Sequence, residues 1–124
     1  MYRIAQSAAL VALVLGAGVA QAGDAAKGEK VFRKCKACHK VEDGKNAVGP
    51  HMHGIVGRAI GSVEGYKYSK AMAAFGEGKS WTAEELDAYL ANPRKHVKGT
   101  KMAFAGLKKD DQRADVIAYL ETLK

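Results

Sequence analysis

Cysteine and proline are both scarce in this chain of 124 residues, with two of each. Two cysteines exclude a framework of several disulfides. Acidic residues are also short, 13 against 20 Lys and Arg, a formal net charge of +7. That balance suggests an acidic partner: nucleic acid, an anionic membrane or an acidic protein. There is no repeat, no low-complexity stretch and no convincing strand pattern. No apolar run reaches the ~20 residues needed to span a bilayer. The length excludes a large multidomain enzyme, and 48% apolar residues is too many for a disordered chain.

Residues 1–22 differ in composition from the rest. Arg3 is their only charge, and an apolar run from Ala8 to Ala20, broken only by Gly16 and Gly18, leads into Ala20-Gln21-Ala22. A basic start, an apolar centre and a small-x-small end read as a cleaved secretory signal peptide. The working domain is then Gly23–Lys124, exported to a bacterial periplasm without stable membrane insertion. A domain this small gains from a cofactor to pack around.

Helical signals are few and short. Asp24–Lys34 predicts a first helix, with Ala26, Val31, Phe32 and Cys35 able to share a face. Six glycines and Pro50 make Val41–Gly65 a loop. Tyr68–Phe75 suits two helical turns. Thr82 and Glu85 form a capping box for a helix that stops near Asn92-Pro93. Lys95–Gly106 reads as loop, and Asp110 or Asp111 caps a last helix carrying Val116, Ile117, Tyr119, Leu120 and Leu123. The expected fold is all-α: short helices on long loops, which a compact domain tolerates when the loops wrap something.

Cys35-Lys36-Ala37-Cys38-His39 is the strongest chemical signal. C-x-x-C-H is the attachment site of c-type haem: both thiols become thioethers to one porphyrin edge, and His39 is placed against the iron. A redox dithiol wants a neighbouring βαβ pattern, which is missing. A zinc site wants a second close ligand pair. A disulfide across three residues closes a trivial loop. For the sixth position the chain offers Met52, Met72, Met102, His51, His53 and His96. Met102 is favoured, because it lies in a loop between two helices; Met52 and Met72 suit core filling. A His/Met pair saturates the iron and raises its potential, which suits single-electron transfer and leaves no site for substrate.

With these residues placed, Gly23–Lys124 resembles the class I cytochromes c, especially the bacterial cytochrome c2 and mitochondrial-type branch. The match runs in order through Gly28 and Phe32, Cys35–His39, Gly49-Pro50, His53-Gly54, Gly57-Arg58, Gly65–Ser69, Trp81-Thr82, Tyr89-Leu90, Asn92-Pro93, Gly99–Phe104 and Val116–Leu120. The resemblance implies the cytochrome c fold around one haem c. It implies that the Pro50 carbonyl accepts the His39 N–H, and that Arg58, Tyr68, Trp81 and Thr100 face the propionates. It puts Tyr89 near the Met102 sulfur and Phe104 beside the ligand loop. This sequence departs from the family at His51, Met52, Met72, His96 and Lys98. With Lys98 in place of proline the ligand loop is expected to be looser, so that His96, Lys98 or Lys101 displaces Met102 at raised pH.

Lys34, Lys36, Lys40, Lys95, Lys98, Lys101, Lys108 and Lys109 bracket the motif and the ligand loop. A positive rim there would steer acidic partners onto the haem edge. The resemblance then implies a monomeric, non-enzymatic periplasmic carrier. It would take electrons from the quinol–cytochrome c oxidoreductase to a photosynthetic reaction centre or a terminal oxidase. The rival reading is a haem peroxidase or ligand-binding haem protein with an open sixth site. Nucleic acid is not an expected partner, since exposed interleaved aromatics are missing.

Overall fold

The computed structural model describes residues 23–124; the expected signal peptide, 1–22, lies outside the described residues. Helices α1 (Ala25–Phe32), α2 (Lys70–Gly76), α3 (Ala83–Ala91), α4 (Pro93–His96) and α5 (Asp110–Glu121) are joined by long loops. Among the described residues there is no strand, and one isolated antiparallel bridge pairs Ala59 with Ser80. The all-α expectation therefore holds for this part of the chain.

Short polar side chains set the starts of four helices by accepting otherwise orphaned backbone N–H groups. Asp24 accepts from Lys27 at 3.1 Å, Ser69 from Met72 at 3.0 Å, Thr82 from Glu85 at 3.0 Å and Asn92 from Lys95 at 3.2 Å. Several details depart from the sequence reading. Helix α1 stops at Phe32 and continues as tight turns through the cysteine motif. Its buried face is Gly28 and Phe32, while Ala26 is exposed. Helix α2 starts after Ser69 rather than at Tyr68. Only the threonine half of the predicted capping box forms, because the Glu85 carboxylate reaches His96 instead, at 2.8 Å. Pro93, at a position where its missing N–H costs nothing, opens the extra helix α4, whose second half falls in the loop expected from Lys95. Finally, neither Asp110 nor Asp111 caps α5. Lys109 holds the cap position without a side-chain bond, and both aspartates lie in the first turn, where they meet the positive end of the helix dipole.

Helices α1 and α5 cross at Gly28. A methyl group there would stand 1.8 Å from the Asp115 carbonyl oxygen, so only glycine permits this approach. Phe32 and Val116 are each 1% exposed at the crossing, and the Phe32 and Tyr119 rings lie 5.3 Å apart. Arg113 ties α5 to α3 and to the preceding loop: Nε donates to Asp87 at 2.7 Å, Nη1 to the Leu107 carbonyl at 2.8 Å, and Nη2 to Asp110. Trp81 is pinned to the glycine-rich loop by two backbone bonds, Gly57 N–H to its carbonyl at 2.7 Å and its own N–H to Arg58 at 2.8 Å.

Candidate functional site

The turns that follow α1 hold the cysteine motif. The Cys38 and His39 N–H groups both donate to the Cys35 carbonyl, at 3.1 and 2.9 Å. Continuing helical turns therefore bring the two thiols and the imidazole into one short stretch of surface, and both cysteines are free. Burial pushes the Cys35 thiol up to about 11; Lys34 offsets part of this and Cys38 adds to it. The unmodified thiol is neutral at ordinary pH.

His39 is oriented from behind. Its Nδ1 lies 2.8 Å from the Pro50 carbonyl oxygen, which can only accept, so Nδ1 carries the proton and Nε2 keeps its lone pair. Burial is the main cause holding its pKa below the ordinary value. The Pro50 bond opposes that shift and Arg58 reinforces it. A neutral imidazole with one free nitrogen is the form that binds a metal. Gly49 makes the arrangement possible: a Cβ there would sit 2.4 Å from His39 Cε1.

These residues line a cavity of about 550 Å³. Its wall includes every residue to which the resemblance gave a place at the haem or beside its ligand Met102: Cys35, Cys38, His39, Pro50, Arg58, Tyr68, Trp81, Tyr89, Thr100, Met102 and Phe104. Met52, Met72 and Phe104 contribute apolar wall, while His51, His53, His96 and Lys98 do not line it. Lys34 and Lys101 do. All eight lysines named above are exposed.

Three observations test whether the cavity suits a haem. It is large and mostly apolar, passing between α1, α3 and α5 into what would otherwise be the centre of the core. The Arg58 Nε is buried with no partner among the described residues, although Nη1 donates to the carbonyls of His51 and His53, both at 3.0 Å. A buried guanidinium nitrogen left open calls for an anion, such as a propionate. A thioether is also held in the wall: Tyr89 Oη–H donates to Met102 Sδ at 3.9 Å, and Thr100 Oγ1 accepts the Met102 N–H at 3.3 Å while lying 3.2 Å from Tyr89 Oη. The residues present fit the group.

The Tyr68 hydroxyl accepts the Val63 N–H at 3.0 Å, so its own proton is free to donate. Three contributors carried no assigned role in the sequence reading. Gly49 acts through the close approach just described. Tyr66 lines the cavity and donates its hydroxyl proton to the Val48 carbonyl at 3.0 Å. Asn46 accepts the His51 N–H at 3.1 Å and donates to the Glu64 carbonyl at 3.1 Å, which ties together the loop on either side of Pro50. A glycine before a proline carries a local signal; the Asn46–Glu64 and Tyr66–Val48 contacts each cross 18 residues and carry none.

A family model described as cytochrome c matches residues 25–124. The chain is 58% identical over 102 residues to a cytochrome c-type cyt cy of Rhodobacter capsulatus, covering 82% of this chain and 50% of that protein. It thus spans half the length of that relative. It is 52% identical over 99 residues to cytochrome c-550 of Ancylobacter novellus, covering 78% of this chain and 92% of that one. It is 49% identical over 100 residues to a cytochrome c2 of Agrobacterium tumefaciens, with 79% and 90% covered. Among solved structures, cytochrome cH from Methylobacterium extorquens superposes with a TM-score of 0.74 at 46% identity, covering 81% of this chain and 99% of that chain.

Proposed function

The chain belongs to the cytochrome c family and carries one covalently bound haem c, and from that premise we propose that this electron-carrier cytochrome is a periplasmic shuttle whose iron is held by His39 and Met102. The haem supplies a one-electron couple; the chain holds, orients and shields it. Cys35 and Cys38 tether the porphyrin edge. The Pro50 carbonyl keeps His39 in the tautomer that leaves Nε2 free. The Tyr89 hydroxyl and Thr100 orient Met102, and the hydrogen bond to a neutral thioether favours the reduced state. Arg58, with Tyr68 and Trp81, meets the propionates.

The observation that carries the reading is the gathering of all these side chains, distant in sequence, around one cavity. Two protein ligands on the iron leave no place for substrate, which argues against an enzymatic role. Absorbance spectra of both redox states test it. The expected result is a low-spin c-type spectrum with a Met–iron charge-transfer band that Met102→Ala abolishes, and no binding of carbon monoxide to the native ferrous protein. Ready carbon monoxide binding would favour the open-site reading instead.

Partners follow from charge. Exposed Lys34 and Lys101 at the cavity wall, with the other exposed lysines of the motif and the ligand loop, suit transient docking to acidic faces of membrane redox complexes, with the quinol–cytochrome c oxidoreductase as donor and a reaction centre or terminal oxidase as acceptor. No helix among the described residues is long and apolar enough to cross a membrane. Cleavage after Ala22 is supported by how early the fold begins. The Asp24 N–H donates to Asp115 Oδ1 at 2.8 Å, and a Cβ on Gly23 would stand 2.0 Å from the Ala114 carbonyl oxygen. N-terminal sequencing of the exported protein is expected to begin at Gly23.

A further inference from the structure

The ligand loop is anchored at both ends. At its exit the Leu107 N–H donates to the Leu90 carbonyl at 2.7 Å, and Leu107 is 2% exposed. At its entry stands α4, a helix of only four residues, too short to be stable by itself. Buried Pro93 is its first residue and Val97, 3% exposed, follows its last, and one polar side-chain contact ties it to α3: His96 Nε2 lies 2.8 Å from Glu85 Oε1, with both side chains less than a third exposed. The same imidazole packs edge-on against two rings, Phe75 at 5.3 Å and Tyr89 at 6.3 Å between centroids. Tyr89 is the residue whose hydroxyl addresses the Met102 sulfur.

We propose that Glu85 and His96 form a positioning clasp for Met102. Carboxylate and imidazole lock α4 to α3, the locked ring fixes the tilt of Tyr89, and Tyr89 with Thr100 fixes the thioether. The physical reason lies in the loop itself. Between His96 and Met102, Lys98 and Gly99 are exposed and form a tight turn, Gly99 at a φ of +93°. Within that stretch the Thr100 N–H donates to the Val97 carbonyl at 3.1 Å, so any rotation of α4 passes through Val97 to Thr100 and the Met102 N–H. The clasp thus acts on the sulfur by two routes, ring to hydroxyl and backbone to Thr100. Neither partner lines the cavity, so both act through other residues. The clasp rests on the reading of Met102 as the iron ligand.

Glu85→Gln, His96→Ala and the double variant are to be compared with the wild-type holoprotein at constant pH. Three quantities are read: the Met–iron charge-transfer band, the affinity of the ferric protein for added imidazole, and the reduction potential. Each single variant is expected to weaken the band, to bind imidazole roughly tenfold more tightly, and to have a lower potential. The double variant is expected to be no worse than His96→Ala, because the two residues act as one unit. His96→Tyr, which restores a ring with a donor facing Glu85, is expected to recover most of the loss. Variants that lose thermal stability but keep band, imidazole affinity and potential unchanged would overturn the proposal, since that is the signature of a merely structural pair. If His96→Ala does not fold, Glu85→Gln decides alone by the same three readings. A wild-type protein without the band would instead overturn the ligand assignment, and the clasp with it.

Discussion

His51 is a buried histidine held by its neighbours in the neutral state. Its N–H donates to Asn46, its Nδ1 accepts the His53 N–H at 3.2 Å, and its carbonyl accepts from Arg58. Burial, then the Arg58 guanidinium, lowers its pKa; Asp43, 3.6 Å away, opposes them, and His53 adds to them. A histidine with a lowered folded pKa stabilises the fold fully above its unfolded value of about 6.5, and loses that contribution as pH falls toward the folded value. Protonation also removes the acceptor that His53 uses. Thermal unfolding between about pH 7.5 and 5 is therefore expected to show stability falling with acid, with a shallower fall in His51→Gln. Equal slopes would show that His51 is not the group responsible.

At the same scale, Gly49 is a positioning residue without a side chain. Gly49→Ala places a methyl group 2.4 Å from the His39 ring, and the ring cannot turn away without giving up Pro50. The variant is expected to lose His39 ligation or to fail haem attachment, read as a changed absorbance spectrum in cells that mature the wild type normally.

Among the elements, the α1–α5 crossing is where the fold is least forgiving. The obstacle facing Gly28 is backbone: the Asp115 carbonyl oxygen would lie 1.8 Å from an added methyl group, so no side-chain rotation relieves the clash. Gly28→Ala is expected to cost about 3 kcal/mol, the upper range for overpacking, in urea unfolding of the holoprotein. Helix propensity alone would favour alanine by nearly ~1 kcal/mol, so the sign of the result separates packing from propensity. The starts at Asp24 and Thr82 were legible because capping is local, and each bonds a backbone N–H three residues on; Ser69 and Asn92 cap in the same way, but α2 was expected from Tyr68 and α4 was not expected. The other half of the capping box was not legible, because Glu85 answers to His96, 11 residues away.

For the whole molecule, the cofactor site and the hydrophobic core are one object. Phe32, Trp81, Leu86, Tyr89, Leu107, Val116 and Leu120 belong to the core cluster and also line the cavity. A chain that cannot attach haem, such as the Cys35→Ala, Cys38→Ala double variant, is expected to lose most of its helical circular dichroism, because about 550 Å³ at its centre is left without partner atoms. Retained native helicity would show that the surrounding protein is self-sufficient. Charge also acts at this scale. Lys34 and Lys101 stand at the cavity itself, and Lys101 Nζ is held by the Lys67 carbonyl and lies 5.2 Å from the Tyr66 ring centroid. Bimolecular electron transfer to an acidic partner is expected to slow as salt rises, and to slow further in Lys34→Glu. A rate indifferent to both would remove the lysine rim from the docking surface.

By itself the sequence pointed to one covalently attached haem and to four of the five helical segments, α4 excepted. A C-x-x-C-H motif, a methionine in a loop and polar caps before apolar stretches are local patterns, and local patterns are legible from chain order alone. Only the tertiary structure decided which side chains share the cavity. Only it showed that Gly49 makes room for His39, that Arg58 is left with an open nitrogen, and that Glu85 and His96 meet across α3 and α4. Those facts depend on how close two backbones come and on which of several donors reaches a given acceptor, and both are set by packing among segments that the chain order keeps apart.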